Sequence, residues 1–405
     1  MEIVPILQTF RFNKSSLALV IVQLAFTLAV LVNALVIIDA YRTRLGMDSG
    51  VDDRALAVVE VEPVDHAYFS DEGRVRNDVQ QDLEALGRLD GVTGVTQLSS
   101  FPLSGEGAMR ASWPQGGVKE KAARHTLYAG DAQALSTLGL NLIAGRAFTA
   151  EETDWSRNPT AGSSAGVVIV SRALAEALFP GADAVGKQLE SGDGKVETII
   201  GVVDRLPGRH VLMNTVRLAA IVPARPLNTL RYAVATRGEV SPQLLQRIDA
   251  VLLQRSAERD VKAESLYQRK IGSMHYLFLF GSILGFISLL LVLVTAIGAY
   301  SQASYSVAKR IRQIGTRRAF GASKLHILRY FLLENWLATS MGLLLGLLVA
   351  NGLSFVLTET MQLPRMGMSQ LVLGMLFIWI VGLLSTLLPA LRAASVPPAI
   401  ATRAA

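Results

Sequence analysis

Four long apolar runs decide what this chain can become. A helix needs ~20 residues to cross a hydrocarbon core of ~30 Å. Residues 16–38, 276–300, 332–357 and 371–391 all have that length and carry no charge at their centres. A central charge would cost ~2.5–3.5 kcal/mol on insertion, so its absence marks membrane spans rather than buried core helices. Gln23 and Asn33 are the strongly polar interruptions of the first run. The expected fold class is an integral membrane α-helical protein with four transmembrane helices in a one-plus-three arrangement. The long segment between the first and second spans, residues 39–273, is expected to form a large α+β extracytoplasmic domain with room for two lobes.

Orientation follows from the short segment between the second and third spans. Residues 301–331 carry Lys309, Arg310, Arg312, Arg317, Arg318, Lys324 and Arg329 and no acid. The positive-inside rule makes this segment cytoplasmic. Counting spans outward then places residues 1–15 and 392–405 inside too, in agreement with Arg11, Lys14, Arg392 and Arg403, and the 358–370 loop outside with the large domain. The formal charge of +6 comes from these flanks, because residues 39–273 are slightly acidic. Membrane orientation accounts for the excess, and nucleic acid is not an expected partner. The first run begins near the N-terminus as a signal peptide would, but it exceeds a usual h-region and reads as an uncleaved anchor. Ahead of it, Ile3, Ile6, Leu7 and Phe10 fall at helical spacing, which suggests a short amphipathic helix on the inner leaflet. A multi-pass protein of the inner (plasma) membrane is expected.

Within residues 39–273, the spans 55–61, 166–170, 196–203, 216–222 and 230–236 read as strands, being β-branched and bounded by turn residues. Residues 171–178 and 241–257 read as helices opening on capping serines, the second with Pro242 at its first position. Catalytic motifs are weak. Gly181–Lys187, GADAVGK, has phosphate-loop glycine spacing, but Gln188 stands where a Mg²⁺-binding hydroxyl belongs and no strand leads directly into it. Gly162, Ser164 and Gly166 form a GxSxG string, but a polar loop precedes it and a strand follows, the reverse of a nucleophile elbow. The histidines at 66, 125, 210, 275 and 326 show no ligand spacing, and cysteine is absent. No catalytic residue, cofactor or metal is therefore expected on this chain, and no disulfide is possible.

The most specific string lies in the basic segment: Lys309–Ser323, KRIRQIGTRRAFGAS. It reads as a short helix with Arg310, Arg317 and Arg318 on a solvated or partner-facing side, apolar contacts at Ile314 and Phe320, and bends at Gly315 and Gly321. The string resembles the signature of the MacB/FtsX-like ABC permease family, REIGIRRALGAS. Arg312, Ile314, Gly315, Arg317, Arg318, Ala319, Gly321, Ala322 and Ser323 match, while Gln313, Thr316 and Phe320 depart from it. The tail Pro389–Arg403, PALRAASVPPAIATR, is similar to the family terminus PARRAARLDPVEALR, sharing Pro389, Arg392 and Arg403 among others. Residues 138–154, LGLNLIAGRAFTAEETD, with LFPGADAVGKQL and IIGVVDRL, resemble the family's periplasmic core.

The resemblance implies a permease without chemistry of its own. Family members pair as homo- or heterodimers, and a pair of cytoplasmic ABC ATPase subunits, which bind ATP and Mg²⁺, docks on the cytoplasmic segment. ATPase closure is transmitted through the spans to the outer domain rather than to a central channel. On this reading Arg310, Arg312, Ile314, Gly315, Arg317, Arg318, Phe320 and Gly321 form the coupling site. The 405 residues hold no complete Walker motif, so the ATPase is expected to be a separate polypeptide, and a periplasmic adaptor is a further expected partner. Gly281 and Gly285, and Gly342 and Gly346, form small-xxx-small faces for close helix approach within or between protomers. Glu334, at the inner end of the third span, either pairs with the basic segment or lies hydrated at the interface. An FtsX-like signalling subunit that regulates a cell-wall hydrolase is the alternative function, and an anchored hydrolase using Ser164 is a third.

Overall fold

The computed structural model describes residues 14–47, 50–65, 67–158, 164–192, 194–210, 215–256, 258–361 and 365–397. The chain divides into two compact units, Thr43–His275 and the combination of Met1–Arg42 with Tyr276–Ala405. The amphipathic helix expected before Lys14, and Gly162 of the GxSxG string, lie outside the described residues.

The membrane unit contains four helices of spanning length, Lys14–Leu45, His275–Lys309, Lys324–Met361 and Met368–Ala394. Each outruns the apolar stretch that marked it. The helical hydrogen-bond ladder continues through good helix formers after the hydrophobicity has ended. In consequence the basic segment at 301–331 is largely helical, with the short helix expected within it. It consists of the last turns of the second span, a short helix Ile311–Ala319, and the first turns of the third.

The first helix is the hub of this unit. In its most apolar stretch 61% of residues are buried, against 17% for the second helix. Leu24, Leu28 and Val32 pack with Leu343 of the third helix and with Leu371 and Ile378 of the fourth. Glycines make this approach possible. A Cβ at Gly342 would meet Leu24 Cβ at 2.7 Å, one at Gly346 would meet Ala25 Cα at 3.0 Å, and one at Gly374 would meet Val32 Cγ2 at 2.6 Å. Gly281 similarly faces Ile37 at 3.1 Å, whereas Gly285 has nothing nearer than Ile38 Cδ1 at 3.9 Å. Of the four glycines expected to pack closely, Gly281, Gly342 and Gly346 thus meet the first helix and Gly285 does not.

The two polar interruptions of that helix become interhelical bonds. Gln23 Nε2 donates to Thr295 Oγ1 at 3.3 Å, and the Thr27 and Thr295 hydroxyls are 3.0 Å apart. Asn33 Nδ2 donates to the Ala29 carbonyl at 2.8 Å and to the Ala350 carbonyl at 3.3 Å. With no water in the bilayer core, such groups must find partners within the bundle.

The large domain holds two sheets. The first is antiparallel, built from β1 (Leu56–Pro63), β2 (Val92–Gln97), β11 (Leu230–Thr236) and β12 (Arg259–Ser265) in the order β12-β1-β11-β2. Helix Glu72–Gly87 links β1 to β2, and helix Pro242–Arg255 links β11 to β12, a split βαβ arrangement. Ser241 caps the latter helix, its Oγ accepting from Leu244 N at 3.2 Å. Strand alternation separates two cores: Ala57, Val59 and Val61 pack with Val75, Val79 and Ile248 on the helix side, while Leu56 and Val58 meet Tyr128, Ile169 and Ile221 on the other.

The second sheet lies wholly between β2 and β11 in sequence. It comprises β3 (Ala108–Pro114), β4 (Ala123–Gly130), β5 (Leu142–Gly145), β6 (Asp154–Ser156), β7 (Val167–Ser171), β8 (Gln188–Ser191), β9 (Val196–Val203) and β10 (Ala219–Pro226). The order β4-β3-β8-β9-β7-β10 closes on itself, because β10 also pairs with β4, and β5 and β6 add to β9 and β10. Closure removes the unpaired edges of the six ring strands. The strand expected at 216–222 lies instead at Ala219–Pro226. Pro223 and Pro226 are accommodated where β10 changes partner from β4 to β6.

Candidate functional site

The GADAVGK string does not form a phosphate loop. The Gly186 amide donates to the Ile199 carbonyl of β9 at 2.7 Å and the Lys187 amide to the Ala184 carbonyl at 3.2 Å, so these donors are taken by the neighbouring strand and by the turn. Strand β8 follows where a phosphate site needs a helix N-terminus. Gly181 and Gly186 have φ of +70° and +83°, which explains the glycines without a ligand. Ser164 lies in a turn ahead of β7, without the helix that a nucleophile elbow requires. His125 is a core residue whose Nδ1 lies 3.1 Å from the Ala123 carbonyl, and burial pushes its imidazole down to about 4. Among the described residues no group of His, Asp or Glu has the arrangement of a metal site.

The basic segment is the one motif that folds into a built structure. Helix Ile311–Ala319 ends in two bonds, the Gly321 amide to the Arg318 carbonyl at 3.1 Å and the Ala322 amide to the Arg317 carbonyl at 3.0 Å. This is a Schellman closure with Gly321 at φ +93°, a conformation that strongly favours glycine. Two residues later Ser323 caps the third membrane helix, its Oγ accepting from His326 N at 3.2 Å. The Gly-Ala-Ser of the motif is thus a helix stop, a spacer and a helix start. Together these elements form an elbow.

The elbow is fastened to the bases of the membrane helices. Arg310 donates through Nη1 and Nη2 to both Glu334 oxygens, at 2.9 and 3.1 Å, with both side chains about 15% exposed. This resolves the two readings of Glu334 in favour of the ion pair, in the bidentate geometry that suits guanidinium. Ile314 is buried with Ile327, Tyr330 and Phe331 of the third helix and with Ala390, Ala393 and Ala394 of the fourth, and Gly315 is buried beside it. Arg317 lies over the Tyr330 ring at 5.2 Å, and Arg318 Nη1 donates to the Ala394 carbonyl at 3.3 Å. Arg392, from the tail motif, donates to the Tyr300 hydroxyl at 3.2 Å. Pro389 is buried inside the fourth helix, and Arg403 lies outside the described residues.

The expected coupling residues therefore divide into two sets. Arg310, Ile314, Gly315 and Arg318 are buried or half-buried against the bundle, whereas Arg317 lies over Tyr330 and stays exposed. Arg312, Gln313 and Thr316 are exposed, and Phe320 is 89% exposed at the tip. Sequence reasoning missed Tyr330, Ala390 and Ala393 as elbow contacts, and Gly374 and Gly382 as packing glycines. The small residues of the fourth helix recur near four-residue spacing, at Gly374, Gly382, Thr386 and Ala390, and that was the available signal.

Comparison with known proteins adds to this geometry. Residues 18–262 match the family model described as MacB-like periplasmic core domain, and residues 285–398 match that of the FtsX-like permease C-terminal region. The macrolide export ATP-binding/permease protein MacB of Bartonella quintana (strain Toulouse) is 28% identical over 340 residues, covering 80% of this chain and 47% of the relative. The uncharacterized ABC transporter permease YknZ of Bacillus subtilis (strain 168) is 25% identical over 273 residues, 65% of this chain and 66% of YknZ. The chain spans about half the length of the MacB relatives it matches. Among solved structures, the periplasmic region of MacB from Actinobacillus actinomycetemcomitans aligns with 55% of this chain and 92% of that one, at 14% identity and a TM-score of 0.34.

Proposed function

The chain belongs to the family of ABC-type permeases built from a MacB-like periplasmic core domain and an FtsX-like membrane domain, and on that premise we propose that it transmits motion rather than conducting cargo. In this reading a separate ATPase dimer, binding ATP and Mg²⁺, presses on the exposed side of the elbow from the cytoplasm. The push passes through the third and fourth helices to the large domain on the other side of the membrane. A second permease protomer completes the complex, and a periplasmic adaptor receives the large domain. The activity served is export or extraction of a substrate at the outer face of the inner membrane.

The observation that carries this reading is the double fastening of the elbow. An ion pair with little exposure and an apolar cluster join the short helix to two spans, so displacement of Arg312 or Phe320 cannot be absorbed locally as it would be in a loop. The test targets the exposed residues and leaves the fastening intact. Arg312→Glu combined with Phe320→Ala is expected to reduce permease-stimulated ATP turnover of the co-purified ATPase by roughly tenfold or more, the scale of losing an interfacial anchor. Basal turnover and membrane insertion should be unchanged. Stimulation at the wild-type level in that variant rejects the docking role.

A further inference from the structure

A concave apolar groove runs along the elbow end of the third membrane helix. Leu325, Leu328, Leu332, Leu333 and Trp336 line it with Leu383 of the fourth helix, and Arg329 is the one charged residue in the lining, around a volume of about 530 Å³. The spacing of 325, 328, 329, 332, 333 and 336 is one face of a helix. Trp336 closes the deep end, stacked on Trp379 with ring centroids 6.2 Å apart, and Trp379 Nε1 is held by Ser340 Oγ at 3.2 Å. From Arg329 to Trp336 the helix rises roughly 10 Å, within the ~15 Å of a single hydrocarbon leaflet.

The charge at the shallow end is uncompensated. Arg329 and Lys324 have no acidic partner among the described residues. The carboxylate closest in sequence, Glu334, is occupied by both terminal nitrogens of Arg310. Lipid-facing leucines alone require no ligand. A groove that begins at an unpaired guanidinium and continues inward as pure hydrocarbon wall is a different object, because one end wants a phosphate and the other an acyl chain.

We propose that this groove is a binding site for an anionic phospholipid of the leaflet on the elbow's side. The phosphate would sit on Arg329, with Lys324 adding field, and one acyl chain would lie along Leu332, Leu333 and Leu383 to Trp336. A second copy of this chain is the weaker occupant, since an apolar helix laid in the groove would cover Arg329 and leave a desolvated cation without a partner. A zwitterionic lipid brings its own ammonium into a region where residues 301–331 hold no acid, so a net negative headgroup complements the site better.

The test uses the full chain in nanodiscs doped with phosphatidylglycerol or phosphatidylcholine carrying a photoreactive acyl chain, with adducts mapped by mass spectrometry. Adducts on residues 332–336 or Leu383 are expected to favour phosphatidylglycerol by roughly fivefold, the scale of one basic residue at a membrane surface. Arg329→Gln should reduce the ratio to near one, and Arg329→Lys, which keeps the charge, should retain part of it. Leu333→Trp should exclude both lipids by filling the groove. Equal labelling by the two lipids in the wild type overturns the proposal, as does a preference unchanged by Arg329→Gln. Crosslinking of a photoreactive residue at position 333 to its own copy in a second chain would assign the groove to a protein interface instead and also overturn it.

Discussion

The membrane unit and the large domain bury polar groups by opposite rules. The large domain buries charge and pairs it. Arg259 meets Asp82 at 3.0 Å, Arg110 meets Glu197 at 2.9 Å and Lys270 meets Asp53 at 3.0 Å. Asp82 is fully buried and also accepts from the Tyr232 hydroxyl at 2.9 Å and from Arg255 Nε at 2.8 Å. Burial lifts its carboxyl above the usual value, against the lowering pull of Arg259, Tyr232 and Arg255. In the membrane unit the buried polar side chains among the described residues are Thr27, Asn33, Ser288, Thr295, Thr339, Ser354 and Thr386, all uncharged. Several hydroxyls bond the carbonyl four residues back, as Thr27 does to Gln23 at 2.8 Å and Ser288 to Leu284 at 2.7 Å. The difference follows from the solvent. A water-facing fold can assemble a charged network from parts that were hydrated before folding, whereas a spanning helix must carry only groups it can satisfy by itself or against one neighbour. The unit's buried-side ion pair, Arg310 with Glu334, accordingly lies at the elbow.

Four substitutions sharpen that contrast. The largest effect is expected in the large domain, where Asp82→Asn leaves Arg259 and Arg255 facing an uncharged amide in a dry site. A loss of about 3–5 kcal/mol is expected from breaking a buried pair, read as an earlier denaturant transition in fluorescence of Trp113 and Trp155. A loss below about 1 kcal/mol would mean that the network is hydrated and the contrast is false. In the membrane unit the sensitive quantity is volume. Gly346→Leu should cost about 1–3 kcal/mol by overpacking, visible as a lower unfolding temperature in detergent, while Gly285→Leu on the looser face should be near neutral. Equal effects would show that the first helix is not the hub. A smaller cost than that of Gly346→Leu is expected for Thr295→Val, which removes the bonds to Gln23 and Thr27 and should cost about 0.6 kcal/mol, the average for a polar contact between membrane helices. A cost several times larger would indicate that hydroxyl bonds, rather than glycine packing, hold the second helix.

Much of the fold was legible because its signals are local. The four spans declare themselves by length, and Ser171 and Ser241 announce helices whose caps are present, Ser171 Oγ accepting from Leu174 N at 3.3 Å. Gln23 and Asn33 were visible as interruptions, but their partners Thr295 and Ala350 are more than 260 residues distant. The first and second spans are similarly apolar, so hydropathy does not distinguish the hub from the periphery. Small residues at matched heights on the facing helices do, and that match exists only in three dimensions. At the elbow the short helix is legible from its pattern, but the inward contacts of Arg310 and Arg318 are not, because charge alone predicts a solvated side. Ile314 and Tyr330, sixteen residues apart, reveal the actual fastening only once the turn at Gly321 brings them together.

The order of strands in the first sheet has a consequence for how the chain is made. β11 lies between β1 and β2, yet it leaves the ribosome after residues 98–229 have been synthesised. Through that interval the nascent chain holds β1 and β2 without the strand that will separate them, while everything needed for the closed second sheet is already complete by Pro226. The later-starting lobe is therefore the one able to finish first, and the lobe that begins the domain stays open until its central strand is translated.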